Sequence, residues 1–322
     1  MQCSIRAALA VFALALIAPC SVSAQKYPSR PVRIVVGFAP GGATDIAARS
    51  IAQKLADALG SSFIVDNRPG ASGNIGADIV AKANPDGHTI LMANSTIAIP
   101  SLFLHLPFDV QKDFVPVSLI AIGPSVLSAH PALPATDVKS LITYAKANPK
   151  KLSYGSGGAG NITHLAMALF ASLAGVDMVH VPYKGAAPSI VALISGEVQL
   201  LFSSIPAALP HISAGRIKPL GVSISKRSSV LPNVPTIAEA GLPGYYAASW
   251  YGLLLPRGVP RDIVKRLALE TGNAMRAPDI RERMTRQGFD PVGGTPEQFA
   301  GFMREEIKRW ERVVKTAGIK AQ

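Results

Sequence analysis

Residues 32–60 read VRIVVGFAPGGATDIAARSIAQKLADALG. Val32–Val36 is a β-branched apolar run of the kind that forms a buried strand. Gly37 to Gly42 follow as a turn rich in glycine and proline. Ile46, Ile51, Leu55 and Leu59 then recur on one face of a helix, and Gly60 is placed to stop it. A strand that passes through a glycine turn into an amphipathic helix opens a parallel α/β layer. Continuing outward, residues 63–65 form a second strand, 72–83 a helix, Asn84-Pro85-Asp86-Gly87 a turn and 89–93 a third strand. The first unit is therefore βαβαβ.

The same layout recurs downstream. Residues 136–147 are helical, capped by Thr136 or Asp137, and 152–155 form a short strand. Helices at 161–174, 186–195 and 206–214 alternate with strands at 178–181, 198–202 and 217–222. From Gly252 onward helices dominate: one opens at Pro260, and a later one starts at the capping box of Thr295 and Gln298. That last helix turns Phe299, Phe302, Ile307, Trp310 and Val314 inward. The apolar stretches 117–127 and 247–255 read as buried strands linking two lobes. The expected division is residues 25–124 with 250–322 in lobe one and 125–249 in lobe two. The hinges fall near 122–126 and 247–252, with a ligand cleft between the lobes.

Composition narrows the function. The chain has 322 residues, a formal charge of +12, and only two cysteines, Cys3 and Cys20. Arg6, the apolar run 7–18 and the small residues ending at Ala24 follow the order of a secretory signal peptide. That run is too short to span a bilayer, which takes about 20 residues. Cleavage after Ala24 would leave an exported chain without cysteine, so disulfides and thiolate metal sites are not expected. The six histidines show no HxH or HExxH spacing, and neither metal nor cofactor is expected. The positive charge is spread thinly, with no stripe for a phosphate backbone, which argues against nucleic acid and leaves steering of acidic solutes.

Two segments carry the chemistry. Gly37 to Asp45 and Tyr154 to His164 each run from a strand through a Gly-Gly-Ala turn into a helix whose first turn offers Thr or Asn. Glycine allows close backbone approach there, and the N–H groups at a helix start attract an anion. Neither loop is GxxxxGK[ST] or GxGxxG, and Tyr154 occupies the first glycine position of GxSxG. Ser156, with His164 as a conceivable base, and Lys184, as a Schiff-base amine, leave a secreted α/β hydrolase or lyase as the alternative. A scaffold whose glycine loops are only turns is a third reading.

The motifs Tyr27-Pro28-Ser29-Arg30-Pro31, residues 38–45, VDNRPGASGNIG at 65–76 and NPDG at 84–87 continue through 156–164 and VPYKG at 181–185 to Trp250-Tyr251-Gly252. As an ordered set they resemble the Bug-type receptors, the periplasmic solute-binding proteins of tripartite tricarboxylate transporters. The resemblance implies an α/β, two-lobed type II periplasmic-binding-protein fold that closes on a small carboxylate. It implies a monomer that delivers a di- or tricarboxylate, or an aromatic acid, to membrane transporter subunits, without catalysis. Carried over, the ligand-binding residues are Phe38, Gly41, Gly42, Ala43 and Thr44 in lobe one, with Asn94 and Ser95 at the end of the third strand. In lobe two they are Ser156, Gly158, Asn161, Thr163, Tyr183 and Ser203. Many members carry an acidic residue where this chain has Ser203-Ser204, which implies a ligand without an amino group.

Overall fold

Residues 27–99 and 106–316 are described by a computed structural model; the expected signal peptide at 1–24 lies outside them. Strand β1 (Val32–Val36) pairs in parallel with β2 (Phe63–Asn67) on one side and β3 (Thr89–Asn94) on the other. Helix α1 (Ala43–Leu59) follows β1 and ends at Gly60, whose φ of 66° is the left-handed C-cap that glycine favours. The helix expected over 72–83 is shorter. A 3-10 turn (Ala71–Gly73) precedes α2 (Asn74–Ala81), because Gly70, Ala71, Ser72 and Gly73 all have positive φ and cannot join an α-helix.

Strand β4 (Phe114–Ala129) organises the rest. After it come α3 (Val138–Ala147), capped by Asp137, then β5 (Ser153–Ser156), α4 (Ile162–Ala174) and β6 (Val179–Pro182). Next are α5 (Ala186–Ser195), β7 (Leu200–Ser204), α6 (Ile205–Ser213), β8 (Lys218–Val222) and the long β9 (Ala248–Pro256). The strand order is β2-β1-β3-β9-β4-β7-β5-β6, and β8 also pairs with β4. From Phe114 to Pro124, β4 lies antiparallel to β9. From Ser125 to Ala129 its partners are β7 and β8. One strand thus belongs to both halves of the two-lobed α/β fold, and its change of partners falls between Pro124 and Ser125.

The chain closes with α7 (Arg261–Arg276), α8 (Pro278–Arg286), a short β10 (Asp290–Pro291) on β4, and α9 (Pro296–Thr316). Helix α8 has no counterpart in the sequence reading: only Ile280 and Met284 are buried along PDIRERMTR, too few for an apolar stripe. The capping box of α9 forms, with Thr295 N–H on Gln298 Oε1 at 2.9 Å and Gln298 N–H on Thr295 Oγ1 at 3.3 Å. One apolar cluster joins Ile34, Ile51, Leu55, Ile90 and Leu253, and another joins Leu127, Leu141, Phe170 and Phe202. Helix α9 bridges the halves: Phe299 packs against Trp250 on the lobe-one side, whereas Trp310 is buried with Phe170 and Phe202.

Candidate functional site

Two neighbouring cavities lie where the strand-to-helix loops of the two halves meet. The inner one, about 40 Å³, is lined by Phe38, Gly42, Ala43, Thr44 and Asn94 from the first half. Gly157, Asn161, Ile162, Thr163, Ala186 and Ser204 face them from the second, and Ser249 and Tyr251 of β9 complete the wall. The outer one, about 280 Å³, is lined on one side by Gly37, Phe38 and the turn from Gly70 to Asn74. Gly157, Gly158, Ala159, Tyr183 and Lys184 form its other side. Phe38 and Gly157 border both cavities.

The first-half wall is a helix start left open. Gly42 takes an extended conformation at the N-cap of α1, and no side chain caps the helix. Its first N–H groups and the positive end of the dipole therefore face the inner cavity. Asn94 Nδ2 donates to Thr44 Oγ1 at 3.0 Å, which leaves the threonine proton to donate inward, and Asn94 Oδ1 is held by Thr96 N–H. Asp45 is buried beneath this turn and accepts from Gly41 N–H at 3.0 Å, Arg49 and Asn67. Burial alone would raise its carboxyl, but the hydrogen bonds from Arg49, Gly41 and Asn67 outweigh that and hold it below the usual carboxylate range. The acidic residue braces the loop as a neutralised anchor.

The second-half loop resembles the first in sequence but spends its amides internally. Gly157 N–H donates to Thr163 Oγ1 at 2.9 Å, Gly158 N–H to Ser156 Oγ at 3.2 Å and Gly160 N–H to His164 Nδ1 at 3.2 Å. Asn161 caps α4 through its Oδ1, which accepts from Thr163 N–H at 2.9 Å and from Thr163 Oγ1 at 3.1 Å. That leaves the Asn161 side-chain NH₂ as the donor this loop turns to the inner cavity. Ser156 Oγ is 2.6 Å from His180 Nε2, and the His180 ring stacks on His164 at 3.9 Å. Burial first, and the neighbouring His180 second, lower the His164 pKa to about 4.

Of the residues expected from the sequence, Phe38, Gly42, Ala43, Thr44, Asn94, Asn161 and Thr163 line the inner cavity. Gly158 and Tyr183 line the outer one, where the Tyr183 hydroxyl donates to Glu197 Oε1 at 2.7 Å. Gly41, Ser95, Ser156 and Ser203 line neither: the Gly41 N–H is bound to Asp45, and the three serines are buried. Side chains alternate along β7, so Ser204 and not Ser203 reaches the cavity wall. Ser156 has His180, not His164, as its hydrogen-bond neighbour, and its hydroxyl is fully enclosed.

Ser204, Ser249 and Tyr251 were missed. The signal was available for the last two, since alternate residues of a linking strand face one side. Burial pushes the Tyr251 hydroxyl well above its ordinary pKa, so it stays protonated, with Ser249 and Ser204 beside it. Taken together, the inner cavity offers hydrogen-bond donors from a helix start, a threonine, an asparagine and a tyrosine. No acidic side chain lines either cavity among the described residues. Such a set suits a small anion.

A family profile described as "Tripartite tricarboxylate transporter family receptor" matches residues 47–319. The chain is 38% identical to "Protein BugT" of Bordetella pertussis over 302 residues, covering 93% of each sequence. Among solved structures, "R. palustris Rpa4515 with adipate" aligns with a TM-score of 0.89 at 41% identity, covering 91% of this chain and 99% of that one. "MatC (Rpa3494) from Rhodopseudomonas palustris with bound malate" aligns with a TM-score of 0.85 at 35% identity, covering 89% and 100%.

Proposed function

The chain belongs to the tripartite tricarboxylate transporter receptor family, whose members are periplasmic solute-binding proteins, and from that premise we propose that it captures a small carboxylate in the cleft. It then hands this solute, a di- or tricarboxylate or an aromatic acid, to the membrane subunits of such a transporter. Bound acids in two similar structures, adipate and malate, support this class. Residues 1–24 act as a cleaved export signal, and the mature monomer works in the periplasm without turning its ligand over. The moving parts are residues 25–124 with 250–322 on one side and 125–249 on the other. The partner change of β4 between Pro124 and Ser125 supports a pivot at 122–126, with the start of β9 as its counterpart at 247–252.

The observation that carries this reading is the open start of α1 beside Thr44 and Asn94, facing Asn161 and Thr163 across the inner cavity. These residues, with Phe38, Gly42, Ala43, Ser204, Ser249 and Tyr251, form the carboxylate site. Charge-assisted hydrogen bonds contribute about 1.5–3 kcal/mol each. Three or four of them, less the cost of ordering, give roughly micromolar affinity.

Calorimetry and thermal shift with adipate, malate and benzoate test the reading. At least one acid is expected to raise the melting temperature and bind without product, and Thr44→Val is expected to weaken it at least ten-fold with the fold intact. No carboxylate binding by the wild type, or full affinity in Thr44→Val, would sink it.

A further inference from the structure

The end of β3 ties the anion site to the other half of the molecule. Asn94, whose Nδ2 donates to Thr44 Oγ1 at 3.0 Å, caps a 3-10 turn (Ser95–Ala98). Its Oδ1 accepts the Thr96 N–H at 3.0 Å, so the backbone of the turn sets how that side-chain amide faces. The Thr96 side chain points the other way, and its Oγ1 accepts the N–H of Ile162 at 3.3 Å. Ile162 is the first residue of α4, and its amide is one the helix cannot satisfy internally. Asn161, the helix's own cap, takes the Thr163 N–H and leaves that of Ile162 to Thr96. Thr96 is fully buried and Ile162 nearly so.

The same turn passes from one core to the other. Ile97 packs with Val35, Ala93 and Phe299 in the first half. Ile99, fully buried, belongs to the cluster of Leu127, Leu165 and Phe170 in the second. Besides β4 and β9, the chain therefore bridges the halves directly after Asn94.

Accepting the carboxylate site above, we propose that Thr96 is the positioning residue that couples ligand capture to closure. It lines neither cavity. With the halves together, its backbone steers Asn94 and its hydroxyl oxygen caps α4. When the halves part, water takes the Ile162 amide, and the hydroxyl is no longer needed. In the closed form, loss of the hydroxyl leaves a buried N–H without an acceptor, which costs more than a missing exposed hydrogen bond. Thr96→Val keeps the side-chain shape and the backbone hold on Asn94 and removes only the acceptor.

Calorimetry and stopped-flow kinetics test this in the wild type, Thr96→Val and Thr96→Ser, with whichever of adipate, malate and benzoate binds most tightly. Thr96→Val is expected to weaken affinity about ten-fold, almost wholly through faster dissociation. Thr96→Ser, which retains an acceptor, should stay within about three-fold of the wild type. Unliganded melting temperatures should agree within a few degrees, because the contact forms only on closure. In the wild type, the Ile162 amide should exchange its hydrogen about ten-fold or more slowly with ligand than without, a readout that needs no variant. Wild-type dissociation in Thr96→Val, equal losses in the Val and Ser variants, or unchanged exchange at Ile162 overturn this proposal and leave the carboxylate site standing. A loss of many degrees in unliganded Thr96→Val assigns the residue to the fold and overturns it as well. Failure of every acid to bind overturns both readings.

Discussion

The Ser72 hydroxyl donates across the mouth of the cleft to the carbonyl of Ala159, 2.6 Å away. It is delivered there by a turn in which Ala71 (φ 47°) and Ser72 (φ 55°) are both left-handed, a conformation that costs non-glycine residues about 1 kcal/mol or more each. Opposite stands Gly158, with φ of 131°, where an added Cβ would lie 2.6 Å from Ser72 Oγ. The left-handed turn meets a bare backbone, and the hydrogen bond ties the two halves together in this structure, the contact expected of a latch. The glycine leaves room for the hydroxyl, and the serine reaches its carbonyl acceptor.

Ser72→Ala is therefore expected to weaken ligand affinity about five-fold, the worth of one hydrogen bond of about 1 kcal/mol. Small-angle scattering should show a larger radius without ligand than in the wild type, closing again on saturation. Gly158→Val should block closure and abolish tight binding while the protein remains folded. Its side chain would wedge against Ser72 in the outer chamber, not fill the carboxylate position in the inner one. Wild-type radius and affinity in both variants would remove the latch.

That no acidic residue lines either cavity among the described residues gives a second expectation. Ser204 is on the inner cavity wall, and with no carboxylate among the described lining residues to pair with a ligand ammonium, succinate should bind more tightly than aspartate. The penalty for an unpaired buried ammonium amounts to at least ten-fold in affinity. Preference for aspartate in competition calorimetry would contradict it.

Strand β9 crosses the molecule under α9 at very close range. A Cβ on Gly252 would stand only 2.2 Å from the Phe299 ring, so this position requires glycine for space alone. Gly252→Ala is expected to cost about 1–3 kcal/mol in denaturant unfolding through overpacking. Phe299→Leu, which shortens the obstructing ring, should be destabilising by itself yet recover part of the loss when combined. Strict additivity of the two would show that the contact is not the cause.

How much of this was legible follows from where each signal resides. The strand Val32–Val36 and the helix behind it were readable because period and capping agree locally, and Gly60 marks the stop. The left-handed pair Ala71 and Ser72 was not, because neither residue type announces positive φ. The two Gly-Gly-Ala loops look alike in sequence. Their difference arises from which nearby side chains fold back on the loop: Thr163, His164 and Ser156 take the amides of one, while Asp45 takes an amide of the other, at Gly41. Likewise, the choice of Ser204 over Ser203 depends on the register between β7 and β4, which pairs Ser204 with Ser125.

Burial of His164 against the His180 ring gives lobe two an acid-sensitive group. His164 is buried and accepts the Gly160 N–H on Nδ1, and its pKa lies near 4 in the fold against about 6.5 in an unfolded chain. The fold favours the neutral ring, so the unfolded state binds more protons between those values, and stability rises with pH across that window. Its contribution is complete above about pH 6.5 and is lost progressively as pH falls toward 4, a difference of about 3 kcal/mol. Asp45, held below the ordinary carboxylate range, keeps its contribution through that window and loses it only at lower pH. Urea unfolding at steps from neutral pH down to about 4.5 checks the assignment. His164→Asn retains an acceptor near the Gly160 N–H but cannot take the charge. Its unfolding free energy should fall less steeply over the same range, by a margin of about 2 kcal/mol at the acid end, whereas a slope equal to that of the wild type would assign the acid sensitivity to other groups.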